Sequence, residues 1–336
     1  RDRLTMALIG IAADKGAPGV TTSALVLAAV WPRPVLLAEC DPAGGDLGYW
    51  LPAADGSPLD PHRGLLSLAV AARRGAQPQV WEHTQKLRGG LDVLIGVTTA
   101  EQGAGLVPLW GSVGSALARL PRADVIADCG RLGPDGPHYD LLAQAAAIVL
   151  ITRDSLGEIV RLRERIATVA AALARRERAG VPLGVVVISG RKEFHSALVE
   201  VGQALGRDGA DVIGGLAYEP ASAAQLHGEW GGKLDRSLLV RTARAIASQL
   251  AGAVSTIPPL DVPPVAAPPA ATRSDRSAPA RHRVNGTPRA QALSPAAGSQ
   301  DRDDSRGAGT PPSAERYPRA EVPLADIPLP TTPGGV

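Results

Sequence analysis

Apolar residues in this chain gather into short continuous runs, separated by longer stretches where they recur at helical spacing. Seven runs have strand length: "LTMALIGIAA" (4–13), "PVLLAEC" (34–40), "LDVLIGVT" (91–98), "DVIADCG" (124–130), "AIVLITR" (147–153), "LGVVVISG" (183–190) and "DVIGGLAY" (211–218). Most lack the alternation of a half-exposed sheet, which predicts strands covered on both faces. Between them, residues 21–31, 64–74, 105–119, 156–178, 194–206 and 234–250 read as helices. The alternation predicts a doubly wound α/β domain, a mostly parallel sheet of about seven strands with helices on both faces. Ligands of such sheets bind beyond the carboxyl ends of the strands. Those ends carry Asp14, Lys15, Asp41, Asp128, Arg153 and Ser189.

The pattern stops near Ser255. Beyond it Pro, Ala, Ser, Arg and Asp predominate with almost no aromatics, too little apolar surface to offset the entropy of ordering. Residues 1–254 are therefore expected to form one globular domain and residues 255–336 a disordered tail. Near the end of the tail, "AEVPLADIPLP" gathers Val322, Leu324, Ile327 and Leu329. Its prolines bias it toward an extended form that a groove or sheet edge could accept.

The formal net charge of +2 argues against a strongly polyanionic partner for the whole chain. Cys40 and Cys129 are too few for a disulfide framework, and neither they nor the scattered histidines have metal-ligand spacing. The sequence shows no signal peptide, lipidation motif or apolar run near the ~20 residues of a membrane helix. A cytoplasmic location is the expectation. The first residue is Arg rather than Met, and a short missing N-terminal piece is expected.

The richest chemistry lies where the first strand meets the first helix, in "DKGAPGVTTS" (14–23). Gly16 and Gly19 permit tight turns and close backbone approach, and a helix starting near Val20 would aim free N–H groups at an anion. Thr21 falls where a phosphate loop places the hydroxyl that holds Mg²⁺. The order Lys-Gly-x-x-Gly-x-Thr-Thr, from Lys15 to Thr22, resembles the deviant Walker A loop of the MinD/ParA family of P-loop proteins. Four further segments follow in order: "LLAECDPAGGDLGYWL", "ADVIADCGRLG", "VVVISGR" and "LAYEPASAAQL". The similarity spans about residues 4–252. "GGDLGYWL" after Asp41 is closer to the CpaE/TadZ-type pilus-assembly members, which often have degenerate phosphate loops.

The resemblance implies ATP or ADP with Mg²⁺ as cofactor and a homodimer when nucleotide binds. It implies that Lys15, Gly16, Ala17, Pro18, Gly19, Val20, Thr21 and Thr22 line the phosphates and that Ser189 stands where an Asn usually reads adenine. Thr21, Asp41 and Asp128 fall at the metal. Asp41 would orient the attacking water, and Lys15 would reach the phosphates held by a partner subunit.

The departures decide the expected activity. Val20 replaces the Lys that grips the β- and γ-phosphates; losing a charge-assisted hydrogen bond of roughly 1.5–3 kcal/mol weakens binding by about one to two orders of magnitude. Phosphoryl transfer depends mainly on electrostatic stabilisation, which valine does not supply. Asp14 adds a carboxylate near the phosphates, Ala17 replaces a glycine and Pro18 removes an N–H donor. The expectation is a nucleotide-responsive or pseudo-ATPase positioning factor, for a pilus or secretion apparatus, with feeble or absent hydrolysis. Alternatives are an active dimeric ATPase using Lys15 in trans, and a DNA-binding partition factor using Arg161, Arg163, Arg165, Arg175, Arg176 and Arg178. The interleaved Glu158, Glu164 and Glu177 favour a solvated helix face over a DNA surface.

Overall fold

The computed structural model describes residues 6–14, 19–74, 78–134, 136, 138–206, 208–228 and 233–257. The tail expected at 255–336 lies outside the described residues beyond Ile257, as do Lys15, Gly16, Ala17 and Pro18. The strands are β1 (Leu8–Ala13), β2 (Val35–Glu39), β3 (Gln85–Lys86), β4 (Asp92–Leu94), β5 (Asp124–Arg131), β6 (Ala147–Arg153), β7 (Leu183–Ser189) and β8 (Asp211–Ala217). The longer helices are α1 (Val20–Ala29), α3 (Leu65–Arg73), α5 (Trp110–Ala118), α7 (Leu156–Ala174), α8 (Phe194–Leu205) and α10 (Leu238–Ser255). Short helices α2 (Leu47–Trp50), α4 (Ala100–Gly105), α6 (Tyr139–Leu142) and α9 (Pro220–Leu226) lie between them.

The strands line up as β3-β4-β2-β5-β1-β6-β7-β8. Every pairing is parallel except β3 with β4. The seven expected runs are all strands, and β3 is an eighth, a two-residue piece too short to show a period. The run at 91–98 pairs only through Leu94. The helix expected at 105–119 begins as a 3₁₀ turn at Val107–Leu109 and continues as α5, and the separate helix α4 ends before it at Gly105. Pro108 accounts for the break: it donates no N–H and its ring crowds the preceding turn.

Side chains alternate between the sheet's two faces, and each face has its own apolar core. Leu8, Ala12, Leu36, Ala38, Val125 and Ala127 meet helices α3, α5, α7 and α8. Ile9, Ile11, Leu37, Ile126 and Val149 meet α1 and α10. Because both faces are covered, almost every position of the central strands is apolar, which is why those segments read as unbroken runs. The consequence for function is positional: polar groups cluster at the ends of the strands.

Candidate functional site

At the carboxyl end of β1 the chain turns into α1. Gly19 is the residue before the helix, in the left-handed region at φ 68°, a conformation that a side chain would strain. Val20 is the first helical residue, and its side chain is buried in the core beside Ile9 and Ile11. It presents no charge at the helix start. The next two residues face different partners. The Thr21 hydroxyl hydrogen-bonds the Asp128 carboxylate, and the Thr22 hydroxyl lies 3.0 Å from His227 Nε2.

Asp128 is 2% exposed. Its Oδ1 accepts from the Gly130 N–H at 3.0 Å. No cation pairs with it among the described residues. Burial, with Glu39 and Asp41 nearby, pushes its pKa up to about 7, while the Thr21 and Gly130 hydrogen bonds pull the other way. Asp41 follows β2 next door. Its Oδ1 accepts from the Ala43 N–H at 2.7 Å, and burial raises its pKa against the opposing pull of that bond and of Arg131. Gly130, at φ 57°, is required for this approach, because a Cβ there would overlap the Asp41 carboxylate. Thr21, Asp41 and Asp128 are therefore brought to one strand-end corner.

Glu39 is the residue that sequence reasoning missed. It ends β2, is 2% exposed, and accepts from Leu47 N at 2.9 Å and Gly96 N at 2.9 Å. It thereby ties the loop after β2 to the segment after β4. Burial still leaves its pKa raised. A signal was available: a carboxylate closing a run of residues buried on both faces needs local N–H donors. Cys40 and Cys129 sit on the neighbouring strand ends, both fully buried, and desolvation raises both thiol pKa values. They are inert packing groups.

Two more expectations change once contacts are seen. Asp14, expected as an added carboxylate near the phosphates, is paired: Arg165 of α7 holds it at 2.6 Å, with Arg161 at 3.7 Å. Its charge is compensated from within the chain. Ser189 is buried, and its hydroxyl donates to Asp154 Oδ2 at 2.6 Å, so its proton is already committed. On the far side, the His227 ring stacks on Trp50 with centroids 4.1 Å apart. The stack ties the segment after β8 to α2, and the Thr22 contact ties it to the start of α1.

These residues fit a Mg²⁺ site of the kind found in nucleotide-binding proteins. Mg²⁺ is held by one or two carboxylates and keeps several waters, so a crowded ligand cage is not required. The described residues contain no group of three or more His, Cys, Asp or Glu side chains placed to hold a metal ion. They do offer Asp128, Asp41 and the Thr21 hydroxyl at the start of a helix.

No family model matches the chain, and no curated protein matches it. Solved structures do. The cell-division ATPase MinD of Pyrococcus furiosus aligns over 74% of this chain and 99% of its own, at 16% identity and TM-score 0.57. McdA of Cyanthece covers 73% and 99%, at 16% identity and TM-score 0.56. A putative plasmid partition protein of Borrelia burgdorferi, bound to AMPPNP, covers 74% and 99%, at 12% identity and TM-score 0.54. At these identities the likeness is one of fold: this chain has the MinD/ParA-like fold. Among the described residues, no helix is long and apolar enough to cross a membrane.

Proposed function

We propose that this chain is a MinD/ParA-like positioning or scaffold factor that responds to a Mg²⁺-bound nucleotide and hydrolyses it feebly or not at all. One observation carries the reading. The metal-side groups Thr21, Asp41 and Asp128 meet at the start of α1, while Val20 at the lysine position is buried in the core. When bound, Mg²⁺ would supply positive charge to the phosphates. Asp128 and Thr21 would hold it, and Asp41 would orient water. Lys15, outside the described residues, would act on a partner subunit's nucleotide.

A buried Val20 suits a degenerate deviant Walker A loop and supports the CpaE/TadZ-like reading with a pilus or secretion apparatus as partner. ATP and ADP are the nucleotides that the sequence resemblance implies. Tyr49, Leu156 and Tyr218 stand exposed at the carboxyl end of the sheet, which suits a homodimer closing over that face. The DNA alternative loses support from the arginines of α7 and the turn after it. Arg163 pairs with Asp208, Arg165 with Asp14 and Arg176 with Asp140, and Arg178 donates to the Ala145 carbonyl.

Isothermal titration with Mg·ATP and Mg·ADP tests the reading. Near-millimolar binding is expected, and at one millimolar nucleotide such a site stabilises the fold by only ~0.4 kcal/mol. Val20→Lys should tighten binding about ten- to hundredfold, with thermal melting confirming that the variant is folded. A micromolar constant in the parent chain would contradict the weak-site reading, as would a folded Val20→Lys chain with unchanged affinity.

A further inference from the structure

The carboxyl end of β5 is irregular. Its register with β1 pairs Ile9 with Ile126, Gly10 with Ala127 and Ile11 with Asp128, and then Ala13 with Arg131. Two steps along β1 are therefore matched by three along β5. The extra residue makes a bulge, and Gly130, at φ 57°, supplies the left-handed backbone within it. One added residue resets the alternation of side chains, so those beyond it take the face opposite to the one they would otherwise have.

The reset decides where Arg131 points. Asp128 meets Thr21 of α1, and Ala13, the register partner of Arg131, packs in the core shared with α1 and α10. Residues paired in register lie on the same face of a parallel sheet. Leu132, the next residue, packs in the core on the opposite face, as alternation requires. Arg131 is thus turned to the face on which α1 begins. In an unbroken strand, a residue three positions past Asp128 would face the other core. Arg131 stands two strand steps beyond Asp128, about 7 Å farther out. It lies beside Ala13, where β1 ends, and it is exposed.

The charges at this corner leave Arg131 a distinct part. Glu39, Asp41 and Asp128 gather here, and the buried Val20 contributes no positive charge. Arg161 and Arg165 are held by Asp14, and the Arg153 guanidinium lies over the Tyr218 ring, 5.5 Å from its centroid. Arg131 forms no hydrogen bond or ion pair among the described residues. Its charge acts on Asp41, where it opposes the rise in pKa that burial causes. A guanidinium stays charged and presents a planar fork that matches two oxygens of a phosphate.

We infer that Arg131 is a phosphate-binding residue that grips the terminal phosphate of a bound nucleoside triphosphate, a role that Val20 leaves open. The inference rests on the nucleotide reading proposed above. A phosphate bridged by Mg²⁺ to Asp128 and Thr21 would lie beyond the strand ends, on the face to which Arg131 is turned. In that reading Asp41 orients water at the terminal phosphate, and Arg131 adjoins Asp41. The cation then comes from the neighbouring strand instead of the helix start, and it offsets part of what the missing lysine would supply.

The test is titration of the full chain with Mg·ATP and Mg·ADP, followed by phosphorus NMR, in the parent and in Arg131→Ala and Arg131→Lys. Melting curves would confirm that the variants fold, as the exposure of Arg131 predicts. Arg131→Ala should weaken Mg·ATP binding about tenfold or more and Mg·ADP binding less. Arg131→Lys, which keeps the charge but not the fork, should fall between the parent and the alanine variant. A folded Arg131→Ala chain that binds Mg·ATP as tightly as the parent, or that loses ATP and ADP equally, would overturn the inference while leaving a nucleotide site in place. No binding of either nucleotide by the parent would remove the nucleotide reading and the inference together.

Discussion

Asp124 and Asp128 lie four residues apart on β5, and both are buried, yet their surroundings differ completely. Asp124, at the amino end of the strand, accepts from the Ala7 N–H at 2.9 Å and the Trp31 Nε1–H at 2.8 Å. Arg33 completes the shell at 2.7 Å and in turn donates to Ser255 of α10. Asp128, at the carboxyl end, has a threonine hydroxyl and one N–H, with two further carboxylates close by. One end of the sheet is electrostatically closed and holds the fold together. The other keeps a cost that folding alone does not require, and such uncompensated groups concentrate at ligand sites.

The largest effect should come from breaking the closed end. Asp124→Ala leaves Arg33, 13% exposed, without its partner and orphans the Trp31 indole. Removing one member of a buried pair costs about 3–5 kcal/mol. The melting temperature should fall by roughly 10 °C, whereas nucleotide affinity measured below the transition should not change. A small loss of stability would mean that the two ends differ less than their contacts indicate.

The open end should respond with the opposite sign. Asp128 binds its proton more tightly in the folded chain, at about pH 7, than in the unfolded chain near the ordinary carboxylate value. Its contribution is therefore fully favourable only below pH ~4 and is lost as pH rises to about 7. Asp128→Asn should match the parent only below pH ~4 and exceed it at pH 8 by about 2–4 kcal/mol, read from denaturant melts at pH 3.5 and pH 8. Equal stability at pH 8 would show that Asp128 is already compensated.

The smallest effect should come from the exposed Arg163–Asp208 pair at 2.6 Å. Surface pairs are screened and entropically costly, so Arg163→Ala should leave the melting curve unchanged. A clear loss would show that the arginines of α7 matter through pairing that burial does not explain.

The sequence carried the strands because each must be apolar on both faces, and it carried the strand-end aspartates because little else there is polar. It could not carry pairings made across the fold. Thr22 meets His227 from 205 positions away, and Arg165 reaches Asp14 across 151. No local period encodes such contacts. Asp14 therefore read as an extra charge at the phosphate loop until its arginine was found. Ser189 read as a substitute for an adenine-reading residue until its hydroxyl was seen to donate to Asp154. Glu39 passed as the end of an apolar run, although two backbone donors converge on it. The helix expected at 105–119 was run across Pro108, where the chain instead makes the 3₁₀ turn between α4 and α5.

The central claim is that the open end of the sheet is built for a cation carried by a nucleotide. Its most direct test is isothermal titration at pH 8 with Mg·ATP and Mg·ADP, in the parent chain and in Asp128→Asn. The expected result is weak binding of at least one of them, abolished in the folded variant and lost in the parent when the pH is lowered below 6. Binding of equal strength in both chains would contradict the assignment of Asp128 to the metal, and no binding in either would contradict the site itself.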